Sequence, residues 1–324
     1  MKAILMILFA PDTYLWALAA VMLLLTLALF LLCRRTRRRW LRLLALLFVL
    51  SGWYVLVYGS FFGISNITVR RVEFASADLP ASFDGYRIVQ FGDAHVGSFN
   101  GWRQPILARA IDSINAQHPD LIVFTGDLQN KTPDEIKPHL KQLQRLKAKD
   151  GICSVMGNHD YPLYVDDDDL HKAYNLAQTM NTEEDMGWSL LNNTWRRIRR
   201  GEERIYIAGM ENDGEGRFPQ LGNITSALTE LSRKDFVVML EHDPTSWRRK
   251  ILTHSHCQLT LSGHTHGGQF SLFGWSPAAL SFREHSGMYY AGDRAINVTS
   301  GLGGVVPFRF GTPPEIVVIT LKKK

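Results

Sequence analysis

Cysteine is scarce in this sequence. Only three cysteines occur in 324 residues, and none of them stands in a C-x-x-C or zinc-finger spacing. This scarcity argues against a disulfide framework and against a structural zinc site. Cys33 lies in an apolar stretch, whereas Cys153 and Cys257 lie in strand-like runs. Because free cysteines in such runs are usually buried, we predict that Cys153 and Cys257 are buried thiols.

Most of the chain also lacks an excess of basic residues. The formal net charge is +5, but residues 1–63 carry seven basic side chains against one acidic side chain. That segment therefore has a charge of +6, and the rest of the chain has a charge of −1. A near-neutral domain gains little from the release of counterions, so a nucleic acid is not an expected partner.

Charged residues are absent from residues 14–33. A helix of about 20 residues rises roughly 30 Å, which is the thickness of the hydrocarbon core of a bilayer. The run therefore predicts a membrane helix. A cleaved signal peptide is the alternative, but a charged segment before the run and a small-residue cleavage site after it are both missing. A second apolar stretch covers residues 43–63 and predicts a second span, with a buried or interfacial helix as the alternative.

Six arginines lie in and beside the short loop between the two apolar stretches. The positive-inside rule places such a loop in the cytoplasm, so residues after 64 are expected on the outer side of the membrane. From residue 69 onward, short β-branched runs alternate with amphipathic segments, which predicts a layered α/β domain. The predicted strands are 69–74, 87–91, 121–125, 152–156, 205–208, 236–240, 258–262, 295–299 and 316–321. The predicted helices are 102–116, 133–149, 224–232 and 245–252.

Five of these strands end in a short loop that carries histidine, aspartate or asparagine. The loops are residues 92–95, 126–127, 157–160, 241–244 and 263–266. Side chains from several loops converge at the strand ends of α/β sheets, which is where such sheets bind ligands. Carboxylate, amide and imidazole groups without thiolates suit a divalent ion such as Mn, Fe, Zn, Co or Ni. The sequence therefore predicts a metal site.

Spacing within the loops suggests more than one ion. Asp93 and His95 are separated by one residue, so both side chains point the same way in an extended segment, and His264 and His266 repeat this arrangement. Two such pairs that face each other, with Asp127 between them, can hold a pair of ions. A second H-x-H, at residues 254–256, precedes its strand, so we interpret it as structural.

The blocks D-x-H, GD, GNH, H and GHxH occur here in the order found in the calcineurin-like metallophosphoesterase superfamily. The chain resembles that superfamily from about residue 85 to its C-terminus. The resemblance implies a four-layer αββα sandwich of two mixed sheets and the hydrolysis of phosphoesters with two divalent metal ions. By position, it implies a first metal on Asp93, His95 and His266, a second on Asn158, His242 and His264, Asp127 as the bridge, and His159 as a general acid or cationic stabiliser.

One position departs from the family pattern. Similar enzymes often orient the histidine that corresponds to His159 with an aspartate three residues after the bridging one, and Asn130 occupies that place here. An amide stabilises an imidazolium less well than a carboxylate does. The protonated form of His159 is therefore less strongly favoured than in those enzymes.

Residues 263–270, 286–292, 299–303 and 313–316 resemble a bacterial membrane-associated subgroup, similar to phosphodiesterases and UDP-2,3-diacylglucosamine diphosphatases. We therefore expect residues 1–66 to anchor the chain in the inner membrane of a bacterial cell and residues 67–324 to form an extracytoplasmic catalytic domain. The expected partners are the bilayer and a phosphodiester or diphosphate substrate, including a lipid-linked one, because the anchor raises the effective concentration of lipids. The oligomeric state stays open.

Several alternatives stay open as well. The site could serve a phosphomonoesterase or protein phosphatase, or the fold could be a non-catalytic scaffold. The helices alone would fit a membrane sensor or transporter subunit, but spans without an intramembrane charge offer no ion or substrate pathway. Residues 161–204 match the family least, and we expect them to cover the metal cleft as a loop or cap. Within this segment, the acidic run 166–169 is expected to be a solvated turn, and the arginines at 196, 197, 199 and 200 to lie on an exposed helix face.

Overall fold

A computed structural model describes residues 11–36 and 38–324. Two apolar helices come first, α1 (Pro11–Arg35) and α2 (Arg39–Val57), and a π-helical turn (Tyr58–Phe62) extends α2. The helices pack as a hairpin, in which Trp53 Nε1 donates to Thr26 Oγ1 at 3.1 Å. The segments Asp12–Arg35 and Arg39–Ser65, with mean hydropathies of 2.7 and 1.9, are long and apolar enough to cross a membrane. They contain both predicted spans.

The remaining chain forms two six-stranded mixed sheets. The first sheet has the order β1-β12-β2-β3-β4-β5, with β12 antiparallel to β2 and all other neighbours parallel. Its strands are β1 (Thr68–Ser76), β2 (Arg87–Phe91), β3 (Leu121–Phe124), β4 (Ile152–Ser154), β5 (Ser189–Leu190) and β12 (Glu315–Lys323).

The second sheet has the order β10-β11-β9-β8-β7-β6. Its four middle strands are parallel, and an antiparallel strand closes each edge. Its strands are β6 (Thr194–Arg200), β7 (Glu203–Gly209), β8 (Val237–Leu240), β9 (Leu259–Ser262), β10 (Gly287–Ala291) and β11 (Arg294–Val298).

Alternation along the buried strands produces four layers. In β3, Leu121 and Val123 face the core between the two sheets, whereas Ile122 and Phe124 face the helices on the outer side. The outer helices of the first sheet are α3 (Gln104–Asn115), α4 (Leu140–Leu143) and α5 (Asp169–Asp185). Those of the second sheet are α6 (Ile224–Ala227), a π-helical turn (Trp247–Ile251) and α7 (Leu252–His254). The predicted αββα architecture is confirmed.

All nine predicted strands occur, but the helix predictions were less accurate. Residues 133–149 do not form one helix, because Pro138 interrupts it, and they fold into 3-10 turns and the short α4. The helix predicted at 224–232 stops at Ala227, and the one predicted at 245–252 starts as the π-helical turn. The segment predicted to cover the cleft, residues 161–204, supplies α5, β5 and β6 to the fold, and Tyr164 near its start packs on His159. Its acidic run contains Asp168, which caps α5 by accepting from His171 N.

The placement of the arginines in residues 194–200 on a helix was wrong. These residues form the edge strand β6, in which Ile198 alone is fully buried. An edge strand needs few apolar side chains, since charged residues protect its free edge from pairing with another chain. The buried free thiols Cys153 and Cys257 were predicted correctly.

Candidate metal centre

Five loops at the carboxyl ends of β2, β3, β4, β8 and β9 meet at one edge of the sandwich. Main-chain hydrogen bonds lock them together: Asp93 N donates to Gly126 O at 2.8 Å, and Gly263 N donates to His242 O at 3.0 Å. Gly157 has no room for a side chain, because a Cβ there would lie 2.2 Å from Asp127 Oδ1. The close packing of the loops gathers the side chains of all five predicted blocks.

Four buried or nearly buried side chains form a first cluster. The possible ligand atoms of Asp93, His95, Asp127 and His266 all lie within 4.8 Å of one another. Asp127 Oδ2 is 3.4 Å from His95 Nε2, and Asp93 Oδ1 is 3.7 Å from His266 Nε2. These spacings suit side chains that surround one cation.

A second cluster shares Asp127 with the first. Asn158 Oδ1 lies 2.7 Å from His264 Nδ1 and 3.1 Å from His242 Nε2. Asp127 Oδ2 lies 3.4 Å from His242 Nε2, the same distance that separates it from His95 Nε2 in the first cluster. The carboxylate of Asp127 therefore lies between two groups of potential ligands.

Several atoms of the first cluster are buried and make no hydrogen bond. They are Asp93 Oδ2, both ring nitrogens of His95, and His266 Nδ1. Buried polar atoms are normally paired, because leaving one unpaired costs about 1–3 kcal/mol. A cation in this cluster would supply a partner for Asp93 Oδ2 and for His95 Nε2, which faces Asp127, so these residues fit a metal.

The backbone of the site is strained. Asp93, His95, Asp127, His264 and His266 all have positive φ, between 42° and 70°. Residues other than glycine rarely adopt this region, and such strain persists mainly where function requires a particular side-chain direction. Half of the ten non-glycine residues with positive φ in the described chain belong to these two clusters.

Neighbouring groups fix the orientation of the second-cluster side chains. His242 Nδ1 lies 2.7 Å from Thr125 O, which leaves Nε2 to face the cluster. His264 Nε2 lies 3.6 Å from Asp243 Oδ2, so its Nδ1 faces the cluster instead. Asn158 Nδ2 donates to the Tyr164 hydroxyl at 2.7 Å, which turns Oδ1 inward. Such contacts orient metal ligands in many proteins.

The carboxylate of Asp160 holds two of the loops in register. It accepts hydrogen bonds from the main-chain N–H groups of Asp127, Leu128 and Gly157, each at 2.8 Å. Burial and the nearby Asp127 charge raise the pKa of Asp160 to about 6. The sequence places Asp160 beside the GNH block, but its role depends on contacts between loops that are far apart in the chain.

His159 is oriented by the main chain rather than by a carboxylate. Its Nδ1 lies 2.6 Å from the carbonyl oxygen of Asn130, and its ring stacks on Tyr164 with 4.2 Å between centroids. The side chain of Asn130 makes no hydrogen bond with the ring. The replacement of the usual aspartate by Asn130 therefore leaves His159 with an orienting bond, and Nε2 is the ring nitrogen that remains unbonded to Asn130.

The family follows from a comparison with known proteins. The model of the calcineurin-like phosphoesterase family matches residues 86–268. The chain belongs to this family. It is therefore a metal-dependent phosphoesterase, and its clustered Asp and His residues form a site that could bind metal ions.

Relatives of this phosphoesterase come from bacteria and animals. The uncharacterized metallophosphoesterase YkuE of Bacillus subtilis is 34% identical over 259 residues, which cover 76% of this chain and 82% of YkuE. A transmembrane protein with metallophosphoesterase domain of Danio rerio is 29% identical and matches 82% of this chain, which spans only 60% of that protein. Among solved structures, phosphopantetheinyl hydrolase of Mycobacterium tuberculosis is 12% identical, with a TM-score of 0.43, and covers 68% of this chain and 91% of its own.

Burial and mutual charge set the protonation of the metal-free phosphoesterase. Burial raises the pKa of Asp93 to about 7. Burial by itself would lower the pKa of His242, but the charge and hydrogen bond of Asp127 outweigh it and raise that pKa to about 10. Burial lowers the pKa of His264 to about 4, and that of His266 well below its usual value. His242 therefore holds a proton that a metal ion would displace.

The open side of the site is a cleft that the first apolar helix reaches. Side chains from both clusters line the cleft, together with Lys131, Arg217, Phe218 and Tyr14. Tyr14 belongs to α1, and the adjacent Asp12 accepts a salt bridge of 2.8 Å from the buried side chain of Arg103. The beginning of α1 is therefore part of the cleft wall, which the sequence alone gave no reason to expect.

Proposed function

We propose that the chain hydrolyses a phosphodiester or diphosphate bond of a membrane-associated, lipid-linked substrate with the help of two divalent ions. In this proposal Asp93, His95 and His266 hold one ion, Asn158, His242 and His264 hold the other, and Asp127 bridges them. The observation that supports this proposal most directly is the position of the Asp127 carboxylate. Its Oδ2 lies 3.4 Å from Nε2 of His95 in one cluster and 3.4 Å from Nε2 of His242 in the other. When bound, such a pair lowers the pKa of water and neutralises charge on phosphoryl oxygens.

The protein's own residues would position the substrate and donate the proton. His159 presents Nε2 to the cleft as a general acid, because its Nδ1 faces the Asn130 carbonyl oxygen. Arg217 and Lys131 on the cleft wall offer positive charge to the phosphate. Phe218 and Phe282 form an apolar wall beside His264, which suits an organic group on the leaving side better than bare phosphate.

The contribution of Tyr14 to the cleft wall supports a lipid-linked substrate. Tyr14 belongs to a helix that is long and apolar enough to cross a membrane. If that helix is embedded, the cleft opens beside the headgroups of the leaflet, where phosphate esters of lipids lie. Residues 1–66 then act as the anchor and residues 67–324 as the catalytic domain.

The hydrolysis test uses the full chain in lipid nanodiscs loaded with Mn²⁺. We expect turnover of bis-p-nitrophenyl phosphate that chelation abolishes, and the Asp127→Asn variant should lose both activity and bound metal. Faster cleavage of p-nitrophenyl phosphate than of the diester would favour a phosphomonoesterase. A fully metal-loaded protein without turnover of either compound would favour a non-catalytic scaffold.

We also propose that the catalytic domain faces away from the cytoplasm in a bacterial inner membrane. The arginines between α1 and α2 carry this orientation, because short basic loops stay on the cytoplasmic side. Alkaline phosphatase fused after Lys324 should be active in intact cells, since this reporter needs an oxidising compartment to fold. The opposite result would be fluorescence from a fluorescent protein fused at the same position, if that protein matures only in the cytoplasm. Such fluorescence would reverse the assignment.

A further inference from the structure

A small hairpin at residues 270–276 leaves the metal site and ends in an exposed aromatic tip. Its strands are tied by two hydrogen bonds, Leu272 N to Trp275 O at 2.9 Å and Trp275 N to Leu272 O at 3.0 Å. Phe273 and Gly274 form the turn, with φ of 51° and 82°. Two-residue turns with positive φ at both positions favour Asn-Gly, so the turn itself gives no reason for phenylalanine.

Packing gives no reason for this phenylalanine either. Phe273 is 100% exposed, Leu272 and Trp275 on either side of the turn are also exposed, and so is Leu280 a few residues further along the chain. Residues 267–282 contain no charged side chain. Contiguous apolar surface of this kind marks a contact with another protein or with a membrane.

The neighbours of the 270–276 hairpin decide between these two partners. Phe270 stacks on Phe310 with 5.7 Å between ring centroids, and Ser271 N donates to Phe310 O at 2.7 Å. The ring of Phe310 also contacts Tyr54 and Tyr58, at 6.2 Å and 5.7 Å. Both tyrosines lie in the apolar segment Arg39–Ser65. Phe310 therefore connects the base of the hairpin to the aromatic end of a candidate membrane helix.

We infer that the tip of the 270–276 hairpin inserts into the bilayer interface beside α2 as a third membrane contact. Aromatic side chains such as Trp275 prefer this interface, and the tip residues would leave water when they enter it. The partner is a lipid surface, and insertion does not depend on which bond the enzyme cleaves.

Insertion would also fix the height of the metal site above the membrane. The hairpin begins soon after His266, and Ser276 Oγ donates to Gly267 O at 2.7 Å. Gln269 Nε2 donates to Val306 O at 2.9 Å and to Phe308 O at 3.0 Å. These bonds leave little freedom between the tip and the cleft, so a seated tip holds the cleft close to the lipid headgroups.

The test labels single cysteines with an environment-sensitive dye in full-length protein reconstituted into phosphatidylglycerol–phosphatidylcholine vesicles. Cys33 is first replaced by serine, while Cys153 and Cys257 are buried. Phe273→Cys reports on the tip, and Leu47→Cys on the exposed surface of α2. Ala81→Cys is the matched control, because it is exposed and precedes β2, whose other end carries the Asp93 loop.

With insertion, the label at 273 shows a blue-shifted emission and is quenched by lipids with a shallow doxyl group, whereas the label at 81 shows neither effect. Quenching at 47 without quenching at 273 would overturn the inference while leaving the anchor intact. Absence of quenching at both positions would overturn the anchor and the inference together. A shift at 273 that depends on protein concentration without lipid quenching would assign the patch to a second copy and contradict a lipid contact.

Discussion

His159 is oriented by a group that differs from the one in the family pattern, because Asn130 replaces the usual aspartate. The pattern places an oriented carboxylate near this histidine, but here the main-chain carbonyl of Asn130 lies 2.6 Å from Nδ1. A main-chain carbonyl stays in place when the side chain of its residue changes. The orientation of His159 should therefore be insensitive to the side chain at position 130.

Two substitutions test this prediction. We expect His159→Ala to lower kcat by roughly 10²–10⁴, the usual contribution of a general acid. Asn130→Ala should change kcat by less than about threefold, because the carbonyl remains in place. The measurement is diester turnover at saturating Mn²⁺, with metal content as the control. A loss in Asn130→Ala as large as that in His159→Ala would show that the amide side chain takes part.

The protonation of His242 leads to a prediction about pH. Its pKa of about 10 in the metal-free protein means that it is protonated at neutral pH. A metal ion must displace that proton, so apparent affinity should rise with pH until about pH 10. Calorimetric titration with Mn²⁺ in buffers of different ionisation enthalpy should reveal net proton release at pH 7. Binding enthalpies that are independent of the buffer would contradict this protonation state.

Asp160, Asp243 and Tyr164 show what the sequence could not reveal at this scale. The proposed ligands stand in ordered blocks at strand ends, so their spacing made them visible. These three residues act through contacts with neighbouring loops, such as the hydrogen bonds that Asp160 accepts from three main-chain N–H groups. Only the folded arrangement assigns them a role.

At the scale of secondary structure, apolar runs predicted the buried strands and the edge strand β1, but the other three edge strands, β5, β6 and β10, were not predicted. Strands such as β3 are buried on both faces and read as continuous apolar runs. The edge strand β6 is rich in arginine, and β5 has only two residues. Short or charged elements of this kind derive their structure from the neighbouring strand rather than from their own composition.

The attachment of α1 to the cleft is an element-scale feature that can be tested. Asp12 pairs with Arg103, whose side chain is buried. We expect Asp12→Asn to weaken this attachment by up to about 1 kcal/mol, since Asp12 itself is half exposed. Hydrogen exchange around Tyr14 should then be up to about fivefold faster in nanodiscs.

Asp134→Asn is the matched control for the Asp12 prediction. Asp134 forms a salt bridge with Lys137, and both side chains are exposed and distant in sequence from α1. This variant should leave the exchange around Tyr14 unchanged. Equal exchange rates in Asp12→Asn and in the unsubstituted protein would mean that Asp12 does not hold α1 at the cleft.

For the whole molecule, the fold places the proposed site beside two helices that are long and apolar enough to cross a membrane. The αββα sandwich gathers five loops at one edge, and the same edge meets the start of α1 and the end of α2 through Tyr14 and Phe310. The sequence indicated both parts, because each has its own pattern. Their adjacency depends on the tertiary fold, which no local pattern encodes.

The central claim is that seven side chains bind two cations and that one of the seven, Asp127, contacts both cations. Anomalous X-ray diffraction from Mn²⁺-loaded crystals of the full chain tests it most directly. The claim predicts two peaks about 3.5–4 Å apart, one beside Asp93, His95 and His266 and the other beside Asn158, His242 and His264. A single peak, or peaks that do not contact Asp127, would contradict it.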